Sequence, residues 1–441
     1  MERRKIVIIG AGSAQFVQGL FGDLIRSGRP WKLGLVDIDP SALAVAEGLS
    51  RRMVEAKGAD ITIEASLDRR DVLPGADAVV LTVGVGGRKA WETDVYLPRE
   101  FGVFQPVGDT TMAGGISRAL RMVPALVDIT RDVQRLCPQA LYINYSNPMT
   151  VNCWAVRKAT GADMVGLCIG TYHVQESLAR FIGAPPEEVT ALAAGVNHFT
   201  WIHDLRWRGQ DAWSLVRARL ADVRAGRVAD PYAERNPFCF SLFDTYGAYP
   251  AVNDGHVVEF FPERFPGGVY TGPVLGSPLG VGWFEKHIAG IDATYERMKA
   301  LAEGRIPIDE SVFGRSTQEH SQLVEMLQAI EADRRQVYTA NLPNRGTVPN
   351  LPAEAVLELT VVSTARGFRA LQQPDFPDTL AATLSKTLGT QALTVEAALT
   401  GNRRLVVEAL LFDGCVRERA TAEKLTDALL QAHRPHLPQF A

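Results

Sequence analysis

The sequence predicts an α/β protein: a Rossmann-like, doubly wound parallel sheet followed by an α+β catalytic domain. Three observations predict it. Short β-branched runs alternate with helical periodicities over roughly the first 170 residues, as βαβ crossovers require. The runs are continuously apolar, as strands buried on both faces should be. A glycine-rich turn, Gly10-Ala11-Gly12-Ser13, closes the first run and opens a helix.

In chain order, the strands are expected at Lys5–Gly10, Lys32–Asp37, Ala78–Val83, Ala140–Ser146 and Met164–Cys168. The helices are expected at Phe16–Ser27, Ser41–Lys57, Ser117–Leu136 and Thr150–Thr160. Beyond about residue 190 the pattern changes. Val189–Trp207 reads as strand material interrupted by Gly195 and Asn197, and Asn236–Pro278 as a loop region rich in Gly, Pro and aromatics. Residues 280–335 carry helical periodicity, and the tail from Thr390 reads as two or three amphipathic helices. A boundary near 190 divides a nucleotide-binding domain (1–190) from a domain for substrate, metal and oligomerisation (191–441).

Composition narrows the class. The 441 residues carry 46 basic and 50 acidic side chains, a net charge of −4, and 46% are hydrophobic. That balance supports a sizeable core and argues against a basic nucleic-acid footprint. No apolar run approaches the roughly 20 residues of a membrane span. The N-terminal apolar stretch is short and broken by glycine, so it reads as a strand rather than a leader. Five cysteines are too few and too scattered for a disulfide framework, and fit a reducing, cytoplasmic setting.

The nucleotide reading rests on several residues. Gly10 permits the tight turn and Gly12 lets the backbone approach a pyrophosphate at a helix N-terminus. The third glycine of the usual pattern is replaced by Gln15. Asp37, ending the second strand, can accept both ribose hydroxyls, which favours NAD over NADP. Leu81-Thr82-Val83-Gly84 ends a later strand where a nicotinamide ribose would lie, which adds Thr82 and Gly84 to Gly10, Gly12, Ser13 and Asp37 as cofactor contacts.

A dehydrogenase is the first guess, yet the histidine–aspartate relay of a lactate- or malate-type enzyme is missing. Instead Cys168 ends a strand, and His198 lies in Gly195-Val196-Asn197-His198-Phe199. A thiolate and an imidazole suit a borderline divalent metal with positions open for substrate oxygens. A small buried hydrophobe and a hydrogen-bonded core histidine explain the same two residues.

Several motifs then occur in order: Gly10-Ala11-Gly12-Ser13, Gln105-Pro106-Val107-Gly108-Asp109-Thr110, Asn144-Tyr145-Ser146-Asn147-Pro148-Met149, Cys168, and Gly195 to Phe199. They are followed by Tyr246-Gly247-Ala248-Tyr249-Pro250, Asp254, His256 to Pro262, Asn344-Arg345-Gly346 and Asn350-Leu351-Pro352. In this the chain resembles glycoside hydrolase family 4, the NAD- and metal-dependent glycosidases, which depart from two-carboxylate hydrolysis. The likeness is closest to the α-galacturonidase-like and α-glucosidase-like branch.

The resemblance implies a redox-neutral cycle: oxidation at C3 of the sugar, deprotonation at C2, elimination of the aglycone, water addition and re-reduction. It implies NAD and Mn²⁺ or another divalent metal as cofactors, Cys168 and His198 as metal ligands, and Asn144 among the cofactor contacts. Asn147, Asp109, Arg88 and Arg345 become substrate-binding candidates, with Arg118 a further anion partner. Asp254 is the expected C2 base, with Tyr249 and Tyr246 as alternatives. Where many members carry a proton donor after the cysteine, this chain has Ile169, so either His173 or Tyr172 substitutes or the leaving group departs with help from water.

The expected substrate is a non-phosphorylated α-glycoside, with α-galacturonides and other anionic sugars, sulfoquinovosides included, among the candidates. A homodimer or homotetramer is expected, with neither nucleic acid nor membrane as partner. The competing readings are an NAD-dependent sugar or hydroxy-acid dehydrogenase and a non-catalytic NAD-binding sensor.

Overall fold

The computed structural model describes residues 3–14, 16–268, 281–314 and 322–441, with no side chains given at 281–283. Gln15 and the end of the glycine- and proline-rich stretch, from 269 on, lie outside the described residues. Among these residues the strands are β1 (Arg4–Ile9), β2 (Trp31–Val36), β3 (Ile61–Ser66), β4 (Ala78–Leu81), β5 (Leu141–Asn144), β6 (Val165–Gly166), β7 (Val189–Val196), β8 (Phe199–Trp207), β9 (Gln210–Asp211), β10 (Tyr249–Pro250), β11 (Val337–Pro343), β12 (Val356–Thr364) and β13 (Gly367–Ala370).

The first six strands are all parallel, in the order β3-β2-β1-β4-β5-β6. This is the doubly wound order, with the strand order reversing beside β1 and β4. The continuous apolar runs explain it: Ile6, Val7 and Ile8 are all buried, because helices cover both faces of the sheet. Each such side chain contributes about 1.5–3 kcal/mol on burial.

The sheet does not end at β6. β11 joins it antiparallel, with Asn341 opposite Gly166, and β12, β7, β8 and β10 follow, all antiparallel. Gly166 permits this junction, since a Cβ there would lie 2.7 Å from Met149 Cγ and 2.9 Å from Asn341 Cβ. One continuous sheet therefore crosses the expected boundary near residue 190. The helices of the second half also return to the first. Asp378–Thr400 packs on Met112–Leu136 and Met149–Thr160, and Val281–Ala302 packs on Pro40–Lys57.

Val189–Trp207 is a hairpin. Asn197 and His198 form its two-residue turn, with His198 in the left-handed region at φ +66°. Gly195 does not interrupt β7; it lets β8 come close, since a Cβ there would lie 2.5 Å from Phe199 O.

Candidate active site

The nucleotide turn is built by mutual bracing. Gly10 has φ +90°, and a Cβ on it would lie 2.8 Å from the Thr82 main chain. Thr82 Oγ1 in turn donates to Gly10 O at 2.8 Å. Gly12 approaches helix Pro40–Lys57 so closely that a Cβ would be 2.4 Å from Ala42 Cβ. Its N–H donates to Asp37 Oδ2 at 2.8 Å, and Asp39 N donates to Asp37 Oδ1 at 3.0 Å. Asp37 is thus oriented by two main-chain donors while staying half-buried at the strand end. Gly84 is exposed, with open space around it.

The second constellation gathers from the loop before helix Met112–Leu136, the turn after β5 and the β7–β8 turn. The loop Gln105–Thr111 is clamped from several directions. Glu259 Oε1 accepts Val107 N at 2.7 Å and Gly108 N at 2.9 Å, and Trp91 Nε1 donates to Val107 O. Gln105 Nε2 donates to Thr111 O, and its Oε1 accepts Gly114 N. This loop presents Asp109 and Thr110. Asp109 accepts from Thr110 Oγ1 at 2.7 Å and from Asn147 Nδ2 at 2.8 Å. Thr110 Oγ1 also contacts His198 Nδ1 at 2.9 Å.

His198 packs against His256 with ring centroids 4.0 Å apart. Ligand atoms of Asp109, His198 and His256 all lie within 4.8 Å of one another, so the three could hold a metal ion. Burial pushes the Asp109 carboxyl up, but His198, His256 and Arg118 outweigh it and hold it well below its ordinary range. Burial pushes the His256 imidazole well down. The Asn147 Oδ1 beside Asp109 is buried with no hydrogen-bond partner. An orphaned acceptor among mixed N and O donors fits a site that awaits a ligand.

Arg118 completes this wall. Its Nε donates to Asn147 O at 3.1 Å, its guanidinium lies over Trp91, and its terminal nitrogens make no hydrogen bond among the described residues. Cys168 ends the neighbouring strand region, with its Sγ accepting Gly170 N at 3.4 Å. It is half-buried and stands outside the group of three.

Models of the family 4 glycosyl hydrolases and of their C-terminal domain match residues 5–184 and 193–416. The chain belongs to glycosyl hydrolase family 4. It is 30% identical to an α-galactosidase of Rhizobium meliloti over 100% of this chain and 90% of that protein. It is 29% identical to an α-galacturonidase of Bacillus subtilis over 98% of each chain. A solved 6-phospho-α-glucosidase from gut microorganisms, in complex with NAD and Mn²⁺, superposes with a TM-score of 0.85 at 17% identity, each chain covered fully.

Within this family 4 enzyme several expected site residues serve the framework instead. Asp254 is buried, and its two oxygens accept Phe238 N and Cys239 N at 2.8 Å, capping helix Pro237–Tyr246. Tyr249 is fully buried among Tyr232, Phe240 and Phe243, and burial holds its hydroxyl far above the range of a base. Tyr246 packs on Trp201.

Asn144 is fully buried, with its amide spent on Ser146 O and Ser146 N. Thr82 is likewise spent on Gly10 O. Arg88 pairs with Asp292 and Arg345 with Asp163, both at the surface. His173 is half-buried in the first turn of helix Gly170–Phe181, its imidazole pushed down by burial.

The sequence places His256 and Glu259 only as supporting or surface residues. The signal that could have found His256 is its place two residues after a helix-capping Asp, which turns it toward the hairpin tip.

Proposed function

We propose that this family 4 glycoside hydrolase is NAD- and divalent-metal-dependent, and that it cleaves a non-phosphorylated α-glycoside by the redox-neutral cycle. The observation that carries the reading is the Asp109–His198–His256 cluster, set on the same sheet as the glycine cradle and Asp37. When bound, the dinucleotide supplies reversible hydride exchange and the ion supplies Lewis acidity.

The chain's own residues do the rest. Gly10 and Gly12 admit the backbone to the pyrophosphate, and Asp37 accepts the ribose hydroxyls. Gly84 leaves room beside the ribose, and the Ser13 hydroxyl joins them. His198 and Cys168 hold the ion, with Asp109 as the anion beside it. Asn147 offers its unpartnered oxygen to the sugar. His256, stacked on His198, would complete the donors around the ion. His173 hands a proton to the departing aglycone in place of the donor absent at Ile169.

The relatives named α-galactosidase and α-galacturonidase support an α-glycoside. Arg118, with both terminal nitrogens unspent, supports a substrate bearing a carboxylate or sulfonate, since a guanidinium grips such groups in a fork. No helix among the described residues is long and apolar enough to cross a membrane. We assign the enzyme to the cytoplasm, where the reducing medium keeps Cys168 a thiol, and to a dimer or tetramer.

The test is aglycone release from α- and β-glycosides, including galactosides, galacturonides, glucuronides and sulfoquinovosides, with and without NAD⁺ and Mn²⁺. Release that needs both additives without NADH accumulation is the expected result. Steady NADH formation without release would mean a dehydrogenase instead.

A further inference from the structure

Glu358 lies on β12 directly opposite Gly195 of β7, and it is 1% exposed. No lysine, arginine or histidine is within ion-pair distance of it among the described residues. A carboxylate in such a place is costly unless donors surround it. Four do. Oε1 accepts Thr171 Oγ1 at 2.9 Å and shares the Thr200 hydroxyl, 3.1 Å away, with Val196 O at 3.0 Å. Oε2 accepts Asn197 Nδ2 at 2.9 Å and Asn341 Nδ2 at 3.0 Å.

The donors come from four separate places. Thr171 stands three residues after Cys168, in the first turn of its helix. Asn197 precedes His198 in the hairpin turn, Thr200 follows it on β8, and Asn341 is on β11. A second arm closes the circuit: Asn197 N donates to Thr150 Oγ1, which donates to Asn341 Oδ1. The side chain of Asn197 is therefore tied directly to the carboxylate, and its main chain is tied to it through the Thr150 hydroxyl and the Asn341 amide. His198 sits at positive φ on the tip of that turn, a conformation that non-glycine residues hold only when surroundings enforce it.

We infer that Glu358 is a positioning residue that locks the His198 turn to the helix start after Cys168, so that the two groups meet one ion in a preset arrangement. This rests on the function proposed above, in which His198 and Cys168 hold the cation. Buried partners that orient ligands in this way typically change metal affinity by roughly 10–100-fold when altered.

Length matters more than charge in this role. Glu358→Asp withdraws the carboxylate by one methylene and cannot reach all four donors. Glu358→Gln keeps the reach, offering its oxygen to the two asparagine amides and its NH₂ to the threonine oxygens. The test is Mn²⁺ titration of the purified, full-length protein without sugar, beside NAD⁺ titration and thermal unfolding. The expected order of Mn²⁺ affinity is wild type, then Gln, then Asp, with Asp weaker by roughly 10-fold or more and NAD⁺ affinity unchanged.

If the Asp variant does not fold, Thr171→Val deletes one of the four hydrogen bonds without changing volume, and it should weaken Mn²⁺ alone. Mn²⁺ affinity equal to wild type in the folded variants overturns the inference, as does a parallel fall in Mn²⁺ and NAD⁺ affinity. Wild-type protein that binds no Mn²⁺ at all would instead bring down the functional reading on which the inference stands.

Discussion

Glu259 illustrates how a buried carboxyl can serve a site without touching it. Burial outweighs the two main-chain donors it accepts and raises its pKa to about 8. The folded value lies above the unfolded one, so its contribution to stability is fully present below the ordinary glutamate range. It is lost as pH rises toward 8 and beyond. Glu259→Gln keeps the acceptor for Val107 N and Gly108 N and removes the ionisation. Melting curves of the two proteins should therefore run together near pH 4.5 and diverge upward. By pH 9 the variant should be the more stable by on the order of 4 kcal/mol. Parallel curves across that window would refute the assignment. At this scale the sequence disclosed Gly10, Gly12, Asp37, Asp109, Asn147 and His198 as chemistry-bearing residues, and the fold draws the last three into one cluster with His256. It could not separate Asp254 from a base, because a carboxylate that caps a helix and one that faces a substrate look alike in one dimension. Arg88 and Arg345 failed for a related reason: their carboxylate partners, Asp292 and Asp163, are far away in sequence.

Helix Pro237–Tyr246 starts with Pro237 at its first position and has no cap from its own neighbour Asn236. Its free N–H groups at Phe238 and Cys239 are instead satisfied by Asp254, from the next segment of chain. A cap of this kind is worth about 0.5–2 kcal/mol. Asp254→Asn retains one acceptor oxygen, so it should lower the melting temperature by a few degrees while the remaining folded enzyme keeps its kcat/KM. A large loss of kcat with unchanged melting would restore Asp254 as the base. The elements most legible in the sequence were the parallel strands and their crossover helices, whose apolar runs and periodicities need no distant partner to recognise. Helix starts were less so: Met112–Leu136 begins five residues before the expected Ser117, where Gln105 caps Gly114 from outside the helix. β3 and the β11–β12–β13 meander were passed over. β3 is an edge strand of mixed burial, with little apolar run to mark it. β12 carries a buried glutamate, Glu358, inside its apolar run, which disguises the pattern until the partners of its carboxylate are known.

Two domains meeting near residue 190 would unfold as two bodies, whereas a sheet continuous in energy as well as in hydrogen bonds would unfold as one. β11 pairs with β6 and with β12, so the parallel half cannot lose its last strand partner without disturbing the antiparallel half. The C-terminal segment strengthens the coupling. Gln439 Nε2 donates to Leu120 O and Ala398 O, and His433 meets the buried Asp94–Arg121 pair beneath helix Gly87–Tyr96. Arg52 of the first half donates to Leu301 O of the second. Separating the halves would exchange these hydrogen bonds for bonds to water, at a net cost of about 0.5–1.5 kcal/mol each. Calorimetry should therefore show a single transition, with calorimetric and van't Hoff enthalpies equal for each folded unit. NAD⁺ adds a sharper test, since a ligand stabilises whatever unfolds together with its site. If the molecule is one cooperative body, saturating NAD⁺ should raise the loss of Trp201 and Trp213 packing, in the second half, by as many degrees as it raises the loss of the nucleotide-binding half. A shift confined to the first half would show that the sheet, though continuous in hydrogen bonds, is divided in energy at the single residue pair Asn341–Gly166.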